Sequence, residues 1–206
     1  SPLALPEAWR ALDRHAHAGH GTQAERPILA VHAGAGAAWK RWPAADLARV
    51  IERAVGDTGC QVLVHQGPAD HEATTELHHA LRGRGAGRGA LRLNEPALPL
   101  LASVLQASTA FIGADSGVSH LAAAVGTASV ILFPQATRER WAPWSPTALP
   151  LRALLPEGDL DRVAQAVVAR LDSSWGGVKP PATKGRAPPG AGRRGASARC
   201  RTSLRA

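Results

Sequence analysis

The sequence contains no methionine in 206 residues, not even at position 1. The natural start is therefore expected to be missing or processed away. No stretch comes near the ~18 apolar residues that a membrane-spanning helix needs. Residues 1–20 lack a basic start followed by an apolar run, so no signal peptide is expected. Only two cysteines occur, Cys60 and Cys200. They form no C-x-x-C metal spacing and are too few for a disulfide framework, so a reducing compartment and two inert thiols are expected. Together these absences predict a soluble, cytoplasmic protein with at most peripheral membrane association.

Acidic residues are missing from one region. Of the 24 Lys and Arg, eight (Lys179, Lys184, Arg186, Arg193, Arg194, Arg199, Arg201 and Arg205) fall within 174–206, which holds no Asp or Glu. The other 16 balance the 16 acids of residues 1–173. The net charge of +8 thus belongs to the tail, and the body is neutral. That removes the case for a basic, nucleic-acid-binding fold. The tail has 10 Gly plus Pro in 33 positions and almost no bulky apolar side chain. It cannot bury enough surface to offset chain entropy and is predicted disordered. It reads as a non-functional extension, with binding to acidic partners as the alternative.

What is present is a regular alternation. Residues 1–26 read as a lead-in, with Leu3, Leu5, Trp9 and Leu12 on one face of a short helix starting near Pro6. His15, His17 and His20 follow without a fourth ligand, so a linker is expected there, not a metal site. Apolar strand-like runs then occur at 28–32, 61–65, 90–93, 109–113 and 129–133. Between and after them come helical patterns at 45–55, 70–81, 98–106, 116–125 and 159–171, with Asp70 as a candidate cap. Such a sequence predicts an α/β domain over 27–173, Rossmann-like, with a parallel sheet covered by helices on both faces. Right-handed crossovers bring the strand C-terminal ends to one edge, where ligands bind. Segments 32–39, 65–70, 94–98, 114–120 and 134–140 should meet there.

Two segments carry chemistry. In Gly113-Ala114-Asp115-Ser116-Gly117-Val118-Ser119-His120, a helix starting at Ser116 or Gly117 would aim free N–H groups and its positive dipole end into the crevice, a good site for phosphate. Gly117 removes a Cβ there. Ser116 can cap or donate, and His120 lies one turn on along the same face. Asp115, acceptor-only when ionised, suits sugar hydroxyls. Periodicity alone allows the same residues to be plain helix caps and a core histidine. The second segment is His32-Ala33-Gly34-Ala35-Gly36-Ala37-Ala38-Trp39-Lys40-Arg41-Trp42-Pro43, in which Lys40 suits a diphosphate and Trp39 and Trp42 read as packing residues. A dinucleotide fingerprint would need a third glycine where Trp39 stands, and a P-loop is absent.

These segments, with Val64-His65-Gln66-Gly67-Pro68-Ala69-Asp70, Pro134 and Arg140-Trp141-Ala142-Pro143, resemble in order the C-terminal domain of glycosyltransferase family 9, the heptosyltransferases of lipopolysaccharide core synthesis. The resemblance covers roughly residues 27–171. It implies one half of a GT-B fold that binds ADP-heptose for inverting transfer to a lipid-linked glycan acceptor, without a metal or other cofactor. By resemblance, Lys40 binds phosphate or sugar hydroxyls. Ser116, Gly117, Val118 and His120 meet the diphosphate, and Asp115 holds the heptose. Gly34, Ala35 and Gly36 offer backbone contacts, and Glu72 or Leu98 meets the adenosine. The family's catalytic carboxylate lies in a preceding acceptor domain. With about 26 residues before strand one, that domain and base are expected to be absent and the isolated chain inactive. Three alternatives stand: an NAD(P)-type oxidoreductase domain, which wants an acid where strand two ends in His65-Gln66; nucleic-acid binding through the tail; and a bare Rossmann-like module.

Overall fold

The computed structural model describes residues 26–84, 89–134, 137–152 and 158–174. Strands β1 (Ile28–His32), β2 (Gln61–Gln66), β3 (Leu91–Asn94), β4 (Ala110–Ala114), β5 (Ser129–Phe133) and β6 (Ala148–Arg152) form one sheet. The order is β3-β2-β1-β4-β5-β6, with every neighbouring pair parallel. The helices are α1 (Ala44–Thr58), α2 (His71–Arg82), α3 (Leu98–Ala107), α4 (Gly117–Ala124), α5 (Arg138–Trp141) and α6 (Gly158–Ser174).

The side-chain alternation of each strand decides which layer it builds. Leu29, Val31, Ile112, Val130 and Leu132 point to one face, where they meet Leu47 and Ile51 of α1, Leu77 and Leu81 of α2, and Val163 and Val167 of α6. Ala30 and Phe111 point the other way, onto Leu101 and Leu105 of α3 and Ala122 of α4. β4 and β5 are buried at every position, as strands covered on both faces must be. In α1, Leu47, Val50, Ile51 and Ala54 recur at three- and four-residue spacing and are all buried. Each large side chain so buried contributes about 1.5–3 kcal/mol. The helix stops at Gly59, whose φ of 68° lets its N–H donate to Val55 O at 2.9 Å.

Six features depart from the sequence reading. β6 is absent from the predicted strands, and its Pro150 lacks the N–H that a central strand needs. It is tolerated since β6 is the sheet edge, paired only with β5. The short α5 and a 3-10 turn at Ala38–Lys40 are also additional. That turn swings Trp39 outward while Trp42 is buried, so only one of the two tryptophans packs. Asp70 holds the N-cap position of α2 but makes no side-chain cap bond: its carboxylate turns back to accept from Gly67 N–H at 3.1 Å. Ser174 belongs to α6, whereas the predicted disordered tail was to start there. The expected helix near Pro6, the three histidines that follow it and residues 175–206 lie outside the described residues. Among the described residues, no helix is long and apolar enough to cross a membrane.

Candidate functional site

From β1 the chain leads to β2 on one side, and from β4 it leads to β5 on the other. The crossovers therefore diverge between β1 and β4, which opens a crevice at their C-terminal ends. The loop after β1 carries Lys40, and the turn after β4 carries Asp115. Backbone bonds hold both in place: Lys40 N–H donates to Ala37 O at 3.0 Å, and Asp115 N–H donates to Leu132 O at 3.0 Å. Across the crevice, Lys40 Nζ lies 2.9 Å from Asp115 Oδ2, and His120 Nε2 lies 3.6 Å from Asp115 Oδ1. Asp115 is 5 % exposed. Its carboxylate is thus a buried acceptor between a half-buried ammonium and a solvent-facing imidazole. Charge-assisted contacts of this kind are about twice as strong as neutral ones.

Helix α4 starts beside this carboxylate. Ser116 is its N-cap, with φ −152° and ψ 163°, and its Oγ accepts from Ser119 N–H at 3.3 Å. Ser119 Oγ donates to Ala114 O at 2.5 Å, so the Ser116 hydroxyl donates in turn to Ser119 Oγ at 3.1 Å. Ser116 is therefore engaged in capping. The N–H groups of Gly117 and Val118 remain, since the first turn of a helix has no acceptor for them. A Cβ added at Gly117 would meet nothing within 4 Å, so the approach to these donors is open. Val118 turns its side chain into the core formed with α3. Only its backbone can serve a ligand.

The other glycines differ from one another. Gly36 also faces open space, whereas a Cβ at Gly34 would stand 1.9 Å from Asp70 Oδ1. The Asp70 carboxylate fills the room that Gly34 leaves, and it approaches the missing Cβ of Gly67 as well, at 2.7 Å. Beneath it, His32 Nδ1 and His65 Nδ1 are 3.1 Å apart, and His32 Nε2 is 3.9 Å from Asp70 Oδ2. Burial pushes the His65 imidazole down to about 4; neighbouring His32 adds to this and Asp70 opposes it. Burial also lowers His32, against Asp70 and the His65 backbone. Both rings are therefore neutral at pH 7, one Nδ1 donating and the other accepting.

The structure thus brings Lys40, Asp115, Gly117, Val118 and His120 together. Ala35 and Gly36 lie on the loop leading to Lys40. Glu72 is set apart: it is 75 % exposed at its side chain and pairs with Arg41 Nη1 at 3.0 Å. Leu98 is an exposed residue opening α3. Sequence reasoning missed His32, His65 and Asp70 as a unit. The available signal was a histidine near the end of each of two strands that align His32 beside His65. Among the described residues, no group of three His, Cys, Asp or Glu could hold a metal.

Residues 3–163 match the family model for glycosyltransferase family 9 (heptosyltransferase). This chain belongs to that family. Among curated proteins, lipopolysaccharide heptosyltransferase 3 of Escherichia coli is 28% identical over 141 residues, 68% of this chain and 40% of that protein. The structure of E. coli ADP-heptose lps heptosyltransferase II is similar at a TM-score of 0.65 and 24% identity, over 84% of this chain and 52% of that one. A family 9 glycosyltransferase from Veillonella parvula also reaches 0.65, at 19% identity over 82% and 51%. E. coli heptosyltransferase WaaC with ADP reaches 0.57, at 18% identity over 78% and 48%. The chain spans about half the length of these relatives or less. The family match begins well upstream of the first strand, at residue 3, where motif resemblance had started near residue 27.

Proposed function

We propose that this domain binds a nucleotide-sugar donor, ADP-heptose or a close relative, for transfer to a lipid-linked glycan acceptor of the lipopolysaccharide core. The observation that carries the reading is the 2.9 Å contact of Lys40 Nζ with Asp115 Oδ2 beside the open start of α4. Gly117 and Val118 N–H, with Lys40, supply positive charge and donors for a diphosphate. Asp115, repelling phosphate, accepts from sugar hydroxyls, and His120 lies close enough to reach either. We invoke no metal and assign no general base to this chain. The similarly folded E. coli WaaC, described with ADP, supports adenine as the base. We place the protein on the cytoplasmic side, at most peripheral to the membrane. A dinucleotide oxidoreductase reading meets Gln66 where an acid should hold the ribose and Trp39 where a third glycine should stand.

Calorimetry on the full chain with ADP, UDP and NAD tests this. Wild type should prefer ADP. Lys40→Ala should weaken ADP about 10- to 100-fold, the loss of one charged hydrogen bond of about 1.5–3 kcal/mol. Equal binding of all three ligands, insensitive to Lys40→Ala and Asp115→Ala, overturns the reading.

A further inference from the structure

Trp39 has no part in the site as described so far, yet its indole is 64 % exposed on the loop that delivers Lys40. A lone exposed aromatic means little by itself. Trp144 is more exposed still. Trp39 differs in what surrounds it. Lys40 Nζ lies 5.6 Å from its ring centroid and 2.9 Å from Asp115 Oδ2. One ammonium therefore touches both the indole and the carboxylate, which places the ring at the Asp115 end of the crevice. The 3-10 turn at Ala38–Lys40 fixes this arrangement, because it buries Trp42 and leaves Trp39 facing out.

The ligand that fits such a wall follows from its polar neighbours. Asp115 is an acceptor and repels phosphate, so a diphosphate at the start of α4 puts its sugar toward Asp115 and its nucleobase away from it. A base on Trp39 would reverse that order and turn phosphate toward the carboxylate. An indole presents a flat apolar face, negative at its centre, that attracts the polarised C–H bonds of a ring lying on it. We propose that Trp39 is a stacking platform for the pyranose ring of the donor sugar, taking its C–H face while Asp115 accepts from its hydroxyls. This rests on the donor-binding reading above and adds a residue that discriminates the sugar nucleotide from the bare nucleotide.

The test is calorimetry of the full chain with ADP and with ADP-heptose, on wild type, Trp39→Ala and Trp39→Phe. Trp39→Ala should weaken ADP-heptose about tenfold, the scale of one lost aromatic stack, and leave ADP within about twofold. Trp39→Phe should retain most of the ADP-heptose affinity. Equal losses for both ligands would make Trp39 only a support for Lys40 and overturn the proposal, as would unchanged ADP-heptose binding in Trp39→Ala. If wild type binds ADP but the sugar gains nothing from Trp39, only this inference fails. If wild type binds neither ligand, the donor reading fails and this one with it.

Discussion

The two flanks of the crevice use glycine in opposite ways. On the β1–β2 flank, Gly34 and Gly67 make room for the protein itself: the Asp70 carboxylate enters the space of both missing side chains, above two buried histidines. On the β4 flank, no atom of the described residues enters the space beside Gly117. The first flank is a closed lock between two loops, and the second is a set of backbone donors with clear access. A glycine in a ligand-binding loop is thus no sign of ligand contact until its neighbours are known. Gly34 contributes to the site by anchoring the loop that ends in Lys40.

The largest expected effect breaks the closed flank. Gly34→Ala sets a methyl 1.9 Å from Asp70 Oδ1 and must expel a carboxylate that is only 13 % exposed. It should destabilise the fold by about 1–3 kcal/mol, as overpacking does. Thermal unfolding measures this, and Gly34→Ala combined with Asp70→Ala should recover part of the loss, since His32 Cε1 still lies 2.9 Å from the new methyl. No recovery in the double variant would remove the Asp70 carboxylate as the steric cause.

Acid provides a gentler probe of the same flank. His65 holds a folded pKa of about 4, below the ordinary 6.5. The unfolded chain therefore binds its proton first, and the neutral ring's contribution is complete above about pH 6.5. It declines as pH falls from there toward 4. The melting temperature should drop over that window, and the drop should be shallower in His65→Asn. Identical pH profiles would remove the imidazole pair as the cause.

The smallest change belongs to the open flank. Gly117→Ala meets no atom and replaces glycine in the first turn of a helix, so stability should hold or rise by up to about 1 kcal/mol. ADP affinity should nevertheless fall several-fold, because the new methyl narrows the approach to the Gly117 and Val118 N–H groups. Unchanged affinity would place the diphosphate elsewhere.

How legible this was in the sequence depended on burial and on register. β1 and β5 sit at the residues expected, and α1, α3 and α4 differ only at their ends. Continuous apolar runs and three-and-four spacing are strong signals where both faces of a strand are covered. β6 was not legible because Pro150 contradicts strand chemistry locally, and only its pairing with β5 accounts for it. The Lys40–Asp115 contact spans 75 residues; the strand pattern brought both loops to one sheet edge, but it gave each residue to the ligand and did not pair them. The fate of Asp70 could not be read. A carboxylate before a helix looks like a cap, and what draws it away is the room beside Gly34, which exists only when β1 and β2 lie side by side.

The contact between Lys40 and Asp115 has a consequence for selectivity. Each group already satisfies the other's charge, so an anion arriving at Lys40 competes with an internal one and threatens to strand Asp115 without a cation. A bare nucleotide compensates only the lysine. A sugar nucleotide also brings hydroxyl donors for the carboxylate and so repairs what its phosphates disturb. Under the proposed donor-binding function, this pairing would bias the site toward a sugar nucleotide over the bare nucleotide and favour release once the sugar has left.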